Sequence, residues 1–126
     1  MPDSATKPPT ILVIDDDAEI RYSLTRVLSS RKFHVIEAAS GEQGVALMKK
    51  GPAPDLVFLD IRMGGMSGME FIHECKRVHP GQKTMLVSGT VDQQIYANET
   101  ALPDGFLAKP YQVADFIAAV QKLAGA

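Results

Sequence analysis

The stretch Asp55-Leu56-Val57-Phe58-Leu59-Asp60 constrains the fold more than any other: four apolar residues run without a break and stop at a carboxylate. The run is too short for a helix of any weight, and Val57 and Phe58 favour a strand. An apolar run without alternation suits a strand buried on both faces, as in a parallel sheet. Asp60 then stands at the carboxyl end of a central strand, where open α/β sheets place their ligands.

The rest of the chain supplies the layers such a strand needs. Ile11-Leu12-Val13-Ile14 is a second apolar run, and it ends in Asp15-Asp16-Asp17. Ile20, Leu24, Val27 and Leu28 recur at helical spacing and predict a helix over 17–31. Residues 33–38 read as a strand of mixed pattern, nearer an edge. Ser40 with Gln43, and Ser67 with Glu70, have capping-box spacing and open helices to about Lys50 and His79. Gly51-Pro52-Ala53-Pro54 and Pro80-Gly81 stop them. Strands four and five fall at 84–88 and 105–108. Between them a weakly patterned helix at 92–99 has only Ile95, Tyr96 and Ala97 to bury. Val113, Phe116, Ile117, Val120 and Leu123 pattern the last helix. Five strand–helix units in series imply parallel strands, right-handed crossovers and helices on both faces.

Composition excludes several classes. A length of 126 residues fits one domain that buries roughly two-thirds of its unfolded surface. A net charge of -2 gives no general attraction to nucleic acid or anionic membrane. No apolar run approaches a membrane span. Residues 1–9 read as a disordered tail without the apolar core of a secretory signal, ahead of a domain over 10–124. Cys75 is the only cysteine, which fits a reducing cytoplasm, and it reads as a small buried apolar residue rather than a reactive thiol.

A parallel sheet brings the carboxyl ends of its strands to one edge. Strand one delivers Asp15 and Asp16, strand three Asp60, strand four Ser88 and strand five Lys109. Two carboxylates 4 Å apart repel by about 4 kcal/mol at an effective dielectric near 20, and a divalent cation removes that cost. Oxygen-only ligands suit Mg²⁺. Such a site is complementary to a transferring phosphoryl group. A carboxylate serves as nucleophile, and Lys109 and Ser88 neutralise or hydrogen-bond the equatorial oxygens. Charge and placement alone leave open which Asp is attacked.

The pattern resembles the receiver domain of two-component response regulators. The matching pieces are Val13-Ile14-Asp15-Asp16, Leu59-Asp60 followed by Met66-Ser67-Gly68-Met69-Glu70, Leu86-Val87-Ser88-Gly89, and Phe106-Leu107-Ala108-Lys109-Pro110-Tyr111. They occur in the family's order over about Thr10 to Leu123. The resemblance implies a flavodoxin-like, doubly wound (βα)5 fold with strand order 2-1-3-4-5. It implies Asp60 as phosphoacceptor, Asp16 as direct Mg²⁺ ligand, Asp15 as its water-mediated partner, and the Arg62 backbone carbonyl as a further ligand beside Asp60. Ser88 resembles the switch hydroxyl, Lys109 the lysine that pairs with the phosphoryl group ahead of a cis Lys109-Pro110 bond, and Phe106 the aromatic that turns inward with Ser88. Arg62 and Thr90 stand at the positions that tune dephosphorylation. The implied partners are a histidine kinase or phosphotransfer protein, and a downstream protein on the face of the fourth helix, fifth strand and last helix. No direct DNA or membrane contact is expected, and no turnover of a separate substrate. Gly64 departs from the family, which usually has proline there, and predicts a looser loop.

Plainer readings stand beside these. Asp17 reads as a helix cap rather than a ligand. Gly64, Gly65 and Gly68 are turn residues that match neither nucleotide fingerprint. Arg21, Arg26 and Arg31 read as a solvated helix face, and His34, His73 and His79 as surface or structural. Two other functions fit parts of the sequence. A haloacid-dehalogenase-like phosphatase would use Asp15-x-Asp17 with Asp15 as nucleophile, although the chain is short for that family and lacks a late acidic motif. A receiver-fold binding module would work without phosphorylation.

Overall fold

The computed structural model describes residues 8–61, 64–89 and 103–125. Its five strands are β1 (Thr10–Ile14), β2 (His34–Ala38), β3 (Leu56–Asp60), β4 (Thr84–Ser88) and β5 (Gly105–Ala108). They form one parallel sheet of order β2-β1-β3-β4-β5. The helices are α1 (Ala18–Ser30), α2 (Gly41–Lys50), α3 (Gly68–Val78) and α4 (Val113–Ala124). This is the doubly wound, flavodoxin-like order expected from the resemblance. The helix predicted at 92–99 lies outside the described residues, as do Arg62, Thr90 and residues 1–7.

The unbroken apolar runs are explained by two cores. Strand side chains alternate between faces, so each strand feeds both. Leu12, Ile14, Val57 and Leu59 meet Met48 from α2 and Phe71, Ile72 and Cys75 from α3. Ile11, Val13, Leu56, Phe58 and Met85 meet Leu24 and Leu28 from α1 and Phe116 and Val120 from α4. Full burial of each such side chain stabilises by about 1.5–3 kcal/mol. β2, with its mixed pattern, is an edge strand as expected.

Caps set the helix starts near the site. The Asp17 carboxylate accepts the Glu19 and Ile20 N–H groups at 2.9 and 3.2 Å, so its reading as a cap holds. Ser67 and Glu70 make the full reciprocal box. The other predicted box is only half formed. Ser40 accepts the Gln43 N–H, but the Gln43 side chain reaches one residue further back, to the Ala39 N–H at 2.6 Å.

Candidate functional site

The β1–β3 and β3–β4 registers bring Asp15, Asp60 and Ser88 to one edge of the sheet. Asp60 shares its parity on β3 with Leu56 and Phe58. Ile61 follows it and donates its N–H to the Val87 carbonyl at 3.0 Å, which ties the end of β3 to the end of β4. Ser88 pairs in register with Ala108, and the next residue, Lys109, donates its N–H to the Ser88 carbonyl at 2.9 Å. The Lys109 ammonium reaches across β4 and forms an ion pair with Asp60 Oδ2. The Lys109-Pro110 bond is cis, as the resemblance implied.

Asp15 is buried, with 7% of its surface exposed. Its Oδ1 accepts the Asp17 N–H at 2.9 Å. Burial pushes its carboxyl above the usual range, and the charges of Asp60 and Asp16 push it further, against the Asp17 hydrogen bond and Lys109. Burial works against the Lys109 charge, but Asp60 beside it, together with Asp15, raises the ammonium above its ordinary value. Three carboxylates and one ammonium therefore share one electrostatic environment.

Asp16 is exposed, and its Oδ2 accepts the Gly64 N–H at 3.2 Å. Two residues on, the Met66 N–H donates to Glu42 Oε2 on α2, also at 3.2 Å. Gly65 has φ 72°, and a Cβ there would come within 3.0 Å of that Glu42 oxygen. A looser loop was expected from Gly64, yet its described part is tied to Asp16 at one point and to Glu42 at another.

Phe106 is 45% exposed, so it sits in the outward arrangement. Arg21 departs from its sequence reading. Nη1 donates to the Asp15 carbonyl at 2.7 Å and Nε pairs with Glu37 at 3.0 Å, so it is a half-buried tie between α1, β1 and β2. Sequence reasoning also passed over Tyr111. It borders an open cavity of about 490 Å³ with Asp15, Asp60, Lys109, Phe58 and Val87. Burial raises its phenol, and the nearby Asp15 charge adds to the rise. Its place two residues beyond Lys109 was the available signal. Glu42 had none, because its partner is a loop N–H 24 positions away.

Among the described residues, no three His, Cys, Asp or Glu side chains form a ready-made metal cage. Mg²⁺ needs none, since it keeps several waters and takes one or two carboxylates. An all-oxygen set with mutual repulsion, open to solvent at Asp16, fits that ion. The phosphatase motif fits less well, because Asp17 is committed to capping α1.

The family model described as response regulator receiver domain matches residues 11–121. The sensor kinase CckA of Brucella abortus is 32% identical over 116 residues, covering 90% of this chain and 12% of that protein. Sporulation initiation phosphotransferase F of Bacillus subtilis is 30% identical over 114 residues, covering 89% of this chain and 90% of that one. A crystal structure of a response regulator receiver domain protein from Clostridium thermocellum superposes with a TM-score of 0.84 at 26% identity, over 93% of this chain and 94% of that one. The chain spans 12% of CckA and between 23% and 50% of three transcriptional regulators it matches. On these grounds the chain belongs to the response regulator receiver domain family of two-component systems.

Proposed function

We propose that the receiver domain, over residues 10–124, takes a phosphoryl group from a histidine kinase or phosphotransfer protein onto Asp60 and thereby controls a protein partner. The observation that carries this reading is the Lys109–Asp60 ion pair, set beside the buried Asp15 at the strand ends. An Asp60 oxygen attacks phosphorus, the phosphorus–nitrogen bond to the donor imidazole breaks, and the leaving imidazole takes up a proton. Lys109 moves its charge from the carboxylate to the new phosphoryl oxygens. The buried Ser88 hydroxyl turns to bind them, and Phe106 leaves its exposed position as Ser88 moves. Asp15, Asp16, Asp60 and the Arg62 carbonyl would hold Mg²⁺, which when bound neutralises the carboxylates and the incoming phosphoryl oxygens.

Arg62 and Thr90 would set the rate at which water cleaves the phosphorylated Asp60. The module acts as a switch, without turning over a separate substrate. The downstream partner would sit on the face that includes β5 and α4. Among the described residues no helix is long and apolar enough to cross a membrane. The reading places the chain in the cytoplasm, acting through protein rather than DNA.

Intact mass after incubation with Mg²⁺ and acetyl phosphate tests this. The expected result is one base-labile phosphate, dependent on Mg²⁺ and absent in Asp60→Asn. An adduct that survives Asp60→Asn and vanishes in Asp15→Asn would overturn the choice of carboxylate. No adduct from acetyl phosphate or a panel of histidine kinases would favour a module that works unphosphorylated.

A further inference from the structure

We infer that the Gly64 N–H is a positioning donor for Mg²⁺ binding: it orients Asp16, and Glu42 holds the loop that delivers it. The inference rests on the metal-site reading above.

The geometry is local and specific. Gly64 N–H meets Asp16 Oδ2 at 3.2 Å, and Asp16 Oδ1 has no hydrogen-bond partner among the described residues. A carboxylate offers about four lone-pair sites, so one N–H leaves the other oxygen open to a cation. An exposed carboxylate otherwise samples several rotamers, and binding must select one. A fixed donor on the far oxygen removes that selection, as outer hydrogen bonds do for ligating carboxylates generally. The proline usual in the family at this position has no N–H to give.

The donor is itself held. The Met66 N–H is bonded to Glu42 Oε2, and the Met66 side chain lies over Gly41, where a Cβ would come within 3.0 Å of the Met66 sulfur. Gly65 supplies the left-handed turn between the two anchors, at φ 72°. The segment thus runs from the first turn of α2 to the acidic edge of the sheet.

The test is a Mg²⁺ titration of the whole chain without phosphodonor, followed by amide chemical shifts. Among the described residues a Cβ at Gly64 would touch only Asp16 Oδ2, at an ordinary 3.8 Å, so Gly64→Ala fits and keeps the N–H. Its Kd should stay within about twofold of wild type. Gly64→Pro should raise Kd several-fold, to about tenfold, the low end for an outer-sphere partner because the bond is exposed. Glu42→Ala, which acts through the Met66 N–H, should raise it about two- to threefold, a looser loop costing less than a lost donor. Metal-free denaturation midpoints separate these effects from misfolding. Gly64→Pro binding as tightly as Gly64→Ala would overturn the inference. Should Gly64→Pro fail to fold, an unchanged Kd in Glu42→Ala would overturn it instead. A wild type that binds no Mg²⁺, or Asp16→Asn binding as wild type does, would sink the metal-site reading beneath it.

Discussion

Lys109 and Asp60 form an ion pair although β4 lies between the strands that carry them. The lysine side chain reaches past the end of the intervening strand, and its own N–H is bonded to the carbonyl of Ser88 on that strand. The pair therefore senses the relative position of three strand ends.

Lys109→Ala should leave the fold intact, because the lysine side chain is 46% exposed. It should slow phosphoryl acceptance by roughly 10- to 100-fold, at or below the usual cost of removing one charge-stabilising donor. Single-turnover labelling with acetyl phosphate measures this. A rate within twofold of wild type would remove Lys109 from the chemistry.

Asp15→Asn should raise thermal stability in the absence of Mg²⁺. Asn keeps the acceptor for the Asp17 N–H and deletes a buried charge that faces Asp60 and Asp16. A gain of about 1 kcal/mol corresponds to a rise in Tm of roughly 3–6 °C for a domain of this size. Mg²⁺ should stabilise wild type and leave the variant nearly unmoved. Calorimetry with and without the ion reads both effects.

Gly68→Ala should damage the site from behind. A Cβ at Gly68 would lie 2.6 Å from the Ile61 Cα and 2.9 Å from the Asp60 carbonyl oxygen, both backbone atoms that cannot turn aside. The start of α3 must then lift off the end of β3. The expected cost is about 1–3 kcal/mol in chemical denaturation, together with slower labelling of Asp60. Unchanged stability would show that the helix start sits less tightly than described.

Cys75 is fully buried, and burial pushes its thiol up to about 11 from 9.0. Between those values the unfolded chain has lost the proton and the native chain retains it. Stability therefore falls as pH rises from 9 towards 11, by about 1.4 kcal/mol per unit of separation. Wild type should lose more stability than Cys75→Ala between pH 8 and 10.5. At neutral pH the thiol should react with a thiol reagent only on unfolding.

The sheet was legible because its central strands β1 and β3 are buried on both faces, which leaves no polar residue inside the runs at 11–14 and 56–59. The acids were legible because they end those runs. What escaped depends on contacts between distant segments. Glu42 and Gly64 look like ordinary surface residues until α2 and the loop after β3 come together. Arg21 reads as solvated on a helical wheel, and only the return of β2 brings Glu37 alongside it. Gln43 has the right spacing for a full capping box, but the geometry of the turn hands its side chain to Ala39 instead.

The run Asp15-Asp16-Asp17 shows how far apart chemically identical neighbours can stand. One faces the buried cluster, one faces the loop after β3, and one closes a helix. Replacing each in turn by Asn gives three chains of matched charge and nearly matched volume. Asp15→Asn and Asp16→Asn should both weaken ion affinity, Asp15→Asn alone should also relieve electrostatic strain, and Asp17→Asn, which keeps a capping oxygen for α1, should leave both near wild type. Each variant is the natural reference for the other two, and a proposed effect of charge alone would have to appear in all three.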